Sequence, residues 1–441
     1  MEKKVGLYWF TQDLRVQNNP IFSRAARDVS VLICIFFMPR IDTYLERYSR
    51  ENKLGSVRVQ FLLEALLELN LSLSRLGQKL IVVRDGCPDF HLNQMVKEHR
   101  VTHFYCDEFV GEDERCVLAT LKIKFPAVRF HQEFCRTIFT ASQLPFDLKD
   151  FPKTFTQFRK CVESLDIDTD FYPTSSFPSP AEGLDDHPVL DIVSDPTEPY
   201  LRGGELSGSY YCQQYFLTRN ASTYKETRNQ LDGQNYSTNF SPWLALGCVS
   251  PRDILAKLTQ YERKYGANSS TYWITFELLW REYFYWYARC HGTNLFRLSG
   301  VKRKRPLTSF YGHRFLLWKK GKTPYPIVNA CMNQLSKSGY MSNRGRQLCA
   351  SCLVNELQVD WRYGAAYFET QLIDNDVSSN WGNWQYIAGV GAGSEGPLRH
   401  FNLEKQTQRY DPHFLFIDKW RGRESKLDID VVDVADWPTF Q

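Results

Sequence analysis

The stretch VQFLLEALLELNLSLSRLGQKLIVV, residues 59–83, combines the two periodicities that decide the fold of the first part of the chain. Its leucines recur at helical spacing, at Leu62, Leu66, Leu69, Leu73 and Leu76. Gly77 then supplies a helix stop, and the run KLIVV has the composition of a buried strand. Another such run, VLICIFF at residues 31–37, precedes the helix. A strand, a helix and a strand in this order predict a parallel sheet with helices on its faces.

Three further runs on either side have strand composition: VGLYWF, HFYCDEF and VRFHQ. Together the runs predict an α/β domain with a doubly wound parallel sheet over residues 1–135. Residues 166–200 contain six prolines and many acids, which predicts a linker, placed at 136–203, that wraps the domains. Helical patterns dominate afterwards. They predict an all-helical domain at 204–425, followed by a tail at 426–441.

Composition narrows the class of protein. The 441 residues carry a net charge of +4, and no apolar run reaches the roughly 18 residues of a membrane span. The N-terminal residues lack the pattern of a signal peptide, so we expect a cytoplasmic protein.

The 12 cysteines have neither disulfide-framework nor zinc spacing, and no metal is expected. Cys349 and Cys352 have redox spacing but lie in a pattern typical of a buried helix, so they are either a redox pair or core residues.

Two short motifs have competing interpretations. GAGSEG, residues 391–396, fits the dinucleotide template G-x-G-x-x-G. The stretch before it, NWGNWQYIAGV, is rich in aromatics and amides and unlike the strand that a phosphate cradle requires. This composition disfavours the dinucleotide interpretation. The run KRKR, residues 302–305, is either a solvated loop or a contact to nucleic-acid phosphates.

Two helix starts are predicted in YSTNFSPWLALGCVSPRDIL. Ser241 and Ser250 each precede a proline, the pattern of an N-cap serine with proline in the first turn. Ser237 and Thr238 come just before the first start. Hydroxyls and free amides therefore converge where the helix dipole is positive, which suits a phosphate group. Ordinary helix capping is the alternative explanation.

Two predicted helices each carry polar and aromatic residues on one face. They are Glu277, Trp280, Arg281 and Phe284 in FELLWREYF, and Asn343, Arg346 and Gln347 in MSNRGRQLC. Residues three and four apart share a helix face. A carboxylate, an indole and a guanidinium in line suit the wall of a site for a flat ligand with polar edges. A surface network, or a satisfied buried one, is the alternative.

The stretch LIDNDVSSNWGNWQY adds Asp374, Asp376 and Asn380. A carboxylate can accept a hydrogen bond from flavin N3 or from a sugar hydroxyl, and an amide near N5 can stabilise a reduced ring. Three rings lie nearby in the sequence: Trp361, Trp384 and Tyr386. Stacked in series, such rings can pass single electrons.

Several long motifs, in order over nearly the whole chain, resemble those of the photolyase/cryptochrome family, most closely its cryptochrome DASH branch. They include WFTQDLRV, LPFDLKDFPKTFTQFRKCVE, TYKETRNQL, YSTNFSPWLALGCVSPR, FELLWREYF, SNRGRQ and DWRYGAAYFETQLIDNDVSSNWGNWQ. The resemblance implies an α/β antenna domain, a long linker and a helical domain that encloses FAD. It also implies a blue-light-dependent lyase that splits cyclobutane pyrimidine dimers by electron transfer. A photoreceptor that binds DNA or RNA with little repair turnover is the alternative, whereas a pyridine-nucleotide flavoenzyme would need a true fingerprint after the first strand.

The same resemblance assigns cofactor contacts. The residues expected to hold the FAD phosphates are Tyr224, Ser237, Thr238, Asn239, Phe240 and Ser241. Arg346 would pair with Asp374 beside the flavin ring, Asp376 would meet the ribose region and Asn380 would sit at N5. An antenna folate, methenyltetrahydrofolate, is also implied, with Glu114 as its pterin contact.

The dimer pocket implied by the resemblance contains Glu277, Trp280, Asn343 and Arg344. Gln347 and Tyr386 replace a methionine and a tryptophan of duplex-repair enzymes, so stacking in the pocket is weaker. A weaker pocket offsets less of the cost of flipping a dimer out of a duplex. Single-stranded DNA or RNA is therefore the expected partner, and a monomer is the expected state.

The resemblance places an electron relay at Trp384 and Trp361, and two positions depart from the family pattern. Thr308 stands where the outer relay tryptophan is expected. Phe310 or Tyr311 could supply a ring nearby. Asn239 replaces an expected lysine, which removes one positive charge near the phosphates.

Overall fold

The computed structural model describes residues 4–167, 177–183, 201–233, 236–393 and 400–424. Much of the predicted linker, the predicted tail at 426–441 and the end of GAGSEG lie outside these residues. Within them, no helix is both long and apolar enough to cross a membrane.

The N-terminal part contains a parallel sheet, as predicted. Its principal strands are β1 (Val5–Phe10), β2 (Val31–Phe37), β3 (Leu80–Val83), β4 (His103–Asp107) and β5 (Arg129–Glu133). Their order across the sheet is β3-β2-β1-β4-β5, and all neighbours are parallel. This order reverses direction at β1, the mark of a doubly wound sheet.

Helices cover both faces of this sheet. They are α1 (Pro20–Asp28), α3 (Ser56–Arg75), α4 (Pro88–Glu98) and α5 (Glu112–Lys124). Between β2 and α3, the short helix α2 (Thr43–Ser49) packs instead on α15 (Trp361–Gln371) of the helical part. Alternate residues of a strand point to opposite faces. Leu7 and Trp9 enter one hydrophobic core with residues of α4 and α5, while Tyr8 and Phe10 enter another. That second core extends without a break into the helical part of the chain, so the two parts share buried apolar surface.

Described portions of the predicted linker contribute α6 (Phe155–Val162) and a two-residue strand, β6 (Ser179–Pro180). β6 pairs with the start of β2, whereas α6 packs against helix α11 (Ser269–His291). The linker therefore touches both parts of the molecule. The domain boundaries given above stay predictions.

The rest of the described chain is helical, which confirms the predicted fold class. Its helices are α7 (Glu205–Leu217), α8 (Tyr224–Thr227), α9 (Ser241–Leu246), α10 (Pro251–Tyr265), α11 (Ser269–His291), α12 (Gly312–Lys319), α13 (Pro326–Ser338), α14 (Asn343–Ser351), α15 (Trp361–Gln371), α16 (Val377–Ile387), α17 (Leu403–Tyr410) and α18 (Leu415–Lys419). Cys349 lies on α14, and Cys352 begins the π-helical turn that follows. Both thiols are free and fully buried, and burial raises the pKa of each, which favours the core interpretation over the redox one.

One predicted helix start needs correction. Ser250 does cap α10, and its side chain accepts a hydrogen bond from the Arg252 amide. Ser241, however, is the first residue inside α9 rather than its N-cap. Phe240 holds the N-cap position with helical dihedral angles, because Asn239 before it adopts a positive φ of 51° that turns the chain into the helix.

Candidate functional site

A cavity of about 430 Å³ lies in the helical part of the chain. The predicted residues that line it are Tyr224, Ser237, Thr238, Asn239, Phe240, Ser241, Glu277, Trp280, Arg281, Phe284, Asn343, Arg346, Gln347, Asp374, Asp376, Asn380, Trp384 and Tyr386. Five separate motifs therefore converge on one site. Arg344, Trp361 and Glu114 lie outside its lining.

The turn at residues 237–241 forms one part of the wall. Asn239 is buried there, and both the nitrogen and the oxygen of its side-chain amide form hydrogen bonds. Its Nδ2 donates to the Tyr211 hydroxyl at 3.3 Å, and its Oδ1 accepts from the Tyr340 hydroxyl at 3.0 Å. These bonds stabilise the left-handed backbone, for which asparagine is better suited than lysine. Asn239, at the position where the resemblance implies a lysine, thus has a structural role in the turn.

Arg346 and Asp374 form the ion pair that the resemblance implies. Nη2 of Arg346 lies 2.7 and 2.9 Å from the two carboxylate oxygens of Asp374, and its Nε donates to the Met341 carbonyl. The Asp374 side chain is only 2% exposed, whereas that of Arg346 is 26% exposed. The positive charge of Arg346 therefore compensates the buried negative charge of Asp374. The part of the guanidinium that stays exposed faces the cavity and can contact a ligand there.

Asp376 and Asn380 project from the start of α16. Asp376 caps the helix by accepting from the Ser379 amide at 2.8 Å. Burial opposes its ionisation, but Arg281 and Arg136 hold the pKa of the Asp376 carboxyl below its usual value. Asn380 donates from Nδ2 to the Ala365 carbonyl of α15 at 2.9 Å, which fixes the orientation of its amide. An anionic oxygen and an oriented amide thus stand side by side on the wall.

The donor set of the cavity fits a flavin nucleotide. Oδ1 of Asn375 is buried and has no hydrogen-bond partner among the described residues, although Asn375 lines the cavity. A buried acceptor without a partner costs about 1–3 kcal/mol, so a ligand that donates to it is favoured. Arg346, Asp374, Asp376 and Asn380 line the same cavity and add charged and amide groups that could bind the polar edges of such a ligand.

A second part of the wall is aromatic. The Trp280 indole stacks on Phe155 of α6, with ring centroids 3.8 Å apart and planes at 12°. The ring centroid of Phe284 lies 5.6 Å from that of Trp280. The Tyr386 ring contacts the Trp280 indole edge-on, with centroids 6.3 Å apart. Trp280 is only partly buried. The linker helix therefore braces the indole that faces the cavity.

The carboxylate of this wall has a partner that sequence reasoning missed. Arg228 lines the cavity, and its Nη1 lies 2.5 Å from Oε1 of Glu277. Burial raises the pKa of Glu277, and Arg228 offsets part of that shift. The motif TYKETRNQL contains Arg228, so the signal was present, but nothing local ties it to a glutamate 49 positions later. Phe155 was missed for the same reason.

Arg344 lies away from the cavity wall. Its Nη2 donates to Oδ1 of Asn229 at 3.0 Å, and its guanidinium lies 4.8 Å from the Tyr410 ring. Its predicted role in the dimer pocket stays a prediction. The neighbouring Asn343 does line the cavity, because α14 turns the two side chains in different directions.

The predicted relay rings are buried. Gly364 lies about one helical turn after Trp361 on α15. A Cβ at this position would lie 2.1 Å from Cη2 of Trp384, so the glycine allows the Trp384 indole to pack directly on α15. The Trp361 ring meets that of Trp381, with centroids 5.7 Å apart. Thr308 donates to the Gln358 carbonyl, and Phe310 stacks on Tyr363 at 4.2 Å. The aromatic contacts of the described residues do not bring Phe310 or Tyr311 against the Trp361 ring.

Glu114 lies at a separate cleft of about 40 Å³ that shares Asp376 with the main cavity. Burial raises the pKa of the Glu114 carboxyl. A space of this size accommodates a water molecule rather than a pterin. The cleft as it stands does not fit a folate ring, and the antenna contact stays a prediction.

The motif GAGSEG follows helix α16, not a strand. The geometry that a dinucleotide cradle requires is therefore missing before Gly391. This confirms that the match to the template is accidental.

Comparison with known families agrees with this architecture. Residues 6–180 match the family described as DNA photolyase, and residues 273–435 match the FAD binding domain of DNA photolyase. The fold and the cavity together define a flavoprotein of the photolyase type.

Relatives specify the branch. The chain is 54% identical to cryptochrome DASH of Vibrio parahaemolyticus, over 99% of this chain and 98% of that one. It is 49% identical to cryptochrome DASH of Idiomarina loihiensis, over 99% and 96%. The crystal structure of Synechocystis cryptochrome is similar with a TM-score of 0.85 at 33% identity, covering 98% of this chain and 91% of that chain. The chain belongs to the photolyase/cryptochrome family, in its cryptochrome DASH branch.

Proposed function

We propose that this protein binds FAD in the main cavity and uses blue light to split cyclobutane pyrimidine dimers in single-stranded DNA. One observation carries the proposal. The Arg346–Asp374 pair and the Trp280–Glu277 wall line the same cavity, so a flavin and a flipped dimer would be neighbours.

The protein supplies binding, orientation and electrostatics. When bound, FAD supplies the electron that splits the dimer. Arg346 and Asp374 position the ring, and Asn380 presents an oriented amide. The Trp280 indole, whose plane is fixed by stacking on Phe155, offers a surface on which a base can stack. Glu277 offers a carboxyl group to the polar edge of that base.

The first experiment compares single-stranded and duplex substrates. We expect the purified protein to be yellow and to remove dimers from single-stranded DNA under blue light. Flipping a dimer from a duplex costs a few kcal/mol, so repair in intact duplex should be about 100-fold less efficient. Dimer loss is measured in both substrates, with dark samples as controls. Equal efficiency would contradict the weak-pocket argument, and FAD binding without any dimer loss would favour a photoreceptor role.

Trp384 is expected to donate the first electron to photoexcited flavin, because it both lines the cavity and packs on α15. Trp384→Phe should slow photoreduction of bound FAD by about tenfold or more, measured by absorption under blue light with a thiol reductant. Trp9→Phe, in the core on the far face of the sheet, is the control. Parental rates in Trp384→Phe would remove Trp384 from the relay.

The loop at Lys302–Arg305 is expected to contact nucleic-acid phosphates. Its four side chains are exposed, and the Lys302 amide bonds the Val390 carbonyl just beyond the end of α16, which carries Tyr386. The loop is thus anchored near the aromatic wall. Changing all four residues to glutamine should weaken binding to oligothymidylate. The slope of log affinity against log salt should fall by roughly 0.7 for each phosphate that the variant no longer neutralises.

The control for this loop changes Lys97 and Arg100, exposed cations at the end of α4, to glutamine. Binding is measured by fluorescence anisotropy over a salt series. An unchanged slope in the loop variant would show that the loop is a solvated one.

A further inference from the structure

The outer end of the electron relay differs from the pattern that the resemblance implies, because Thr308 carries no ring. The structure offers another aromatic neighbour. Trp381 lies 5.7 Å from Trp361, with the planes at 78°, and both indoles are 1% exposed. Trp381 also precedes Trp384 by three residues on α16, a spacing that makes side chains neighbours on a helix. Trp381 is therefore in ring contact with Trp361 and lies about one helical turn before Trp384.

Trp381 and Trp361 differ in the group that their indole N–H meets. Nε1 of Trp361 donates to the Leu298 carbonyl at 3.1 Å. Nε1 of Trp381 donates to Oε2 of the Glu369 carboxylate at 2.5 Å. A carboxylate can take up a proton at neutral pH, whereas a backbone carbonyl cannot. An oxidised indole at position 381 can therefore lose its N–H proton within one hydrogen bond.

The surroundings of Glu369 favour this proton transfer. Burial raises the pKa of Glu369, so its carboxylate is a stronger base than an exposed one, although Trp381 and Arg58 offset part of the shift. Arg58 of α3 donates to the backbone carbonyl of Glu369 and so holds the end of α15. A negative charge in contact with the indole also stabilises a positive charge on that ring.

We propose that Trp381, with Glu369 as proton acceptor, is the terminal electron donor of the relay in this chain. One electron passes from Trp381 to oxidised Trp361, which returns to its neutral form. The N–H proton moves from Nε1 of Trp381 to Oε2 of Glu369, leaving a neutral indolyl radical beside a neutral carboxylic acid. A thiol reductant then returns one electron to Trp381, and Glu369 returns the proton. The inference rests on the flavin photochemistry proposed above, in which photoexcited oxidised flavin is the first oxidant.

The test uses the FAD-loaded full chain with the variants Trp381→Phe and Glu369→Gln. Trp286→Phe is the matched control. Trp286 is likewise buried and donates to a buried carboxylate, Glu282, at 2.8 Å, but its ring contacts among the described residues are with Phe134 and Tyr285 and not with a relay residue. The flavin absorption band in the dark is recorded first for every protein.

Transient absorption after a blue flash then follows the tryptophan radical. In the parent and in Trp286→Phe we expect a deprotonated, long-lived indolyl radical, formed more slowly in D₂O. In Trp381→Phe the separated charges should recombine about tenfold faster, and photoreduction with thiol should slow accordingly. In Glu369→Gln the radical should stay protonated and its formation should lose the D₂O effect. A merely structural role of either residue would not change the protonation state of the radical.

A dark measurement checks the hydrogen bond itself. In NMR spectra of protein labelled with ¹⁵N-tryptophan, the Trp381 indole N–H should resonate at low field and move upfield in Glu369→Gln. Several results would overturn the inference: parental radical lifetime in Trp381→Phe, a protonated radical in the parent, or a tyrosyl signal from Tyr44, whose ring is 5.9 Å from Trp381. Any of these with a normal flavin band leaves the proposed function intact, whereas a parent that binds no flavin would refute that function.

Discussion

Replacing Arg346 with alanine is expected to leave the protein with little bound FAD. The guanidinium spans both oxygens of Asp374, whose side chain is almost completely buried. Removing one partner of a buried ion pair costs about 3–5 kcal/mol, because the other charge is left uncompensated. Part of that cost falls on flavin binding, and a loss of only about 1.4 kcal/mol there lowers affinity tenfold. The ratio of flavin to protein after gel filtration, read from the absorption spectrum, measures the effect.

Two companion variants make this result interpretable. Arg362 forms a comparable buried pair with Asp360 at 2.7 Å but does not line the cavity. Arg362→Ala should therefore lower thermal stability while the folded protein keeps its flavin. Arg346→Lys retains the charge without the planar fork and should restore flavin only in part. Full flavin content in folded Arg346→Ala would mean that the pair does not position the cofactor.

Replacing Trp280 with alanine is expected to remove most dimer repair while flavin stays bound. Stacking of a base on an aromatic side chain is worth about 1–3 kcal/mol, so the affinity for a dimer-containing oligonucleotide should fall roughly 10- to 100-fold. Phe155 stacks on the indole and fixes its plane, so Phe155→Leu should give a smaller loss of the same kind. Dimer loss under blue light is measured at a substrate concentration below saturation.

Trp280→Phe is the conservative control, since it keeps a ring at that place on the wall. We expect it to recover a substantial part of the repair that Trp280→Ala loses. Saturating substrate should also partly restore the alanine variant, because the flavin chemistry itself is unchanged. Repair by Trp280→Ala at the parental rate below saturation would place the dimer elsewhere.

The two periodicities in the N-terminal part were sufficient to predict its sheet. β1 to β5 lie within two residues of the predicted runs, and Leu62, Leu66, Leu69 and Leu73 are buried on α3 as their spacing indicates. Periodicity is a local property, and burial of one face enforces it. The exact start of α9 escaped prediction because it depends on Asn239, whose left-handed backbone is held by two distant tyrosine hydroxyls.

The sequence by itself determined the fold class, the family and most cavity-lining residues, because helical spacing places Glu277 with Trp280, and Asn343 with Gln347, on single faces. Only the tertiary structure decided which faces meet. It paired Arg228 with Glu277, stacked Phe155 on Trp280 and set Trp381 against Trp361. Each of these contacts joins residues that are 20 to 125 positions apart and lie on different parts of the chain, so no local sequence pattern encodes them. Packing of the shared core fixes the angle at which each helix approaches its neighbour, and that angle selects the side chains that touch.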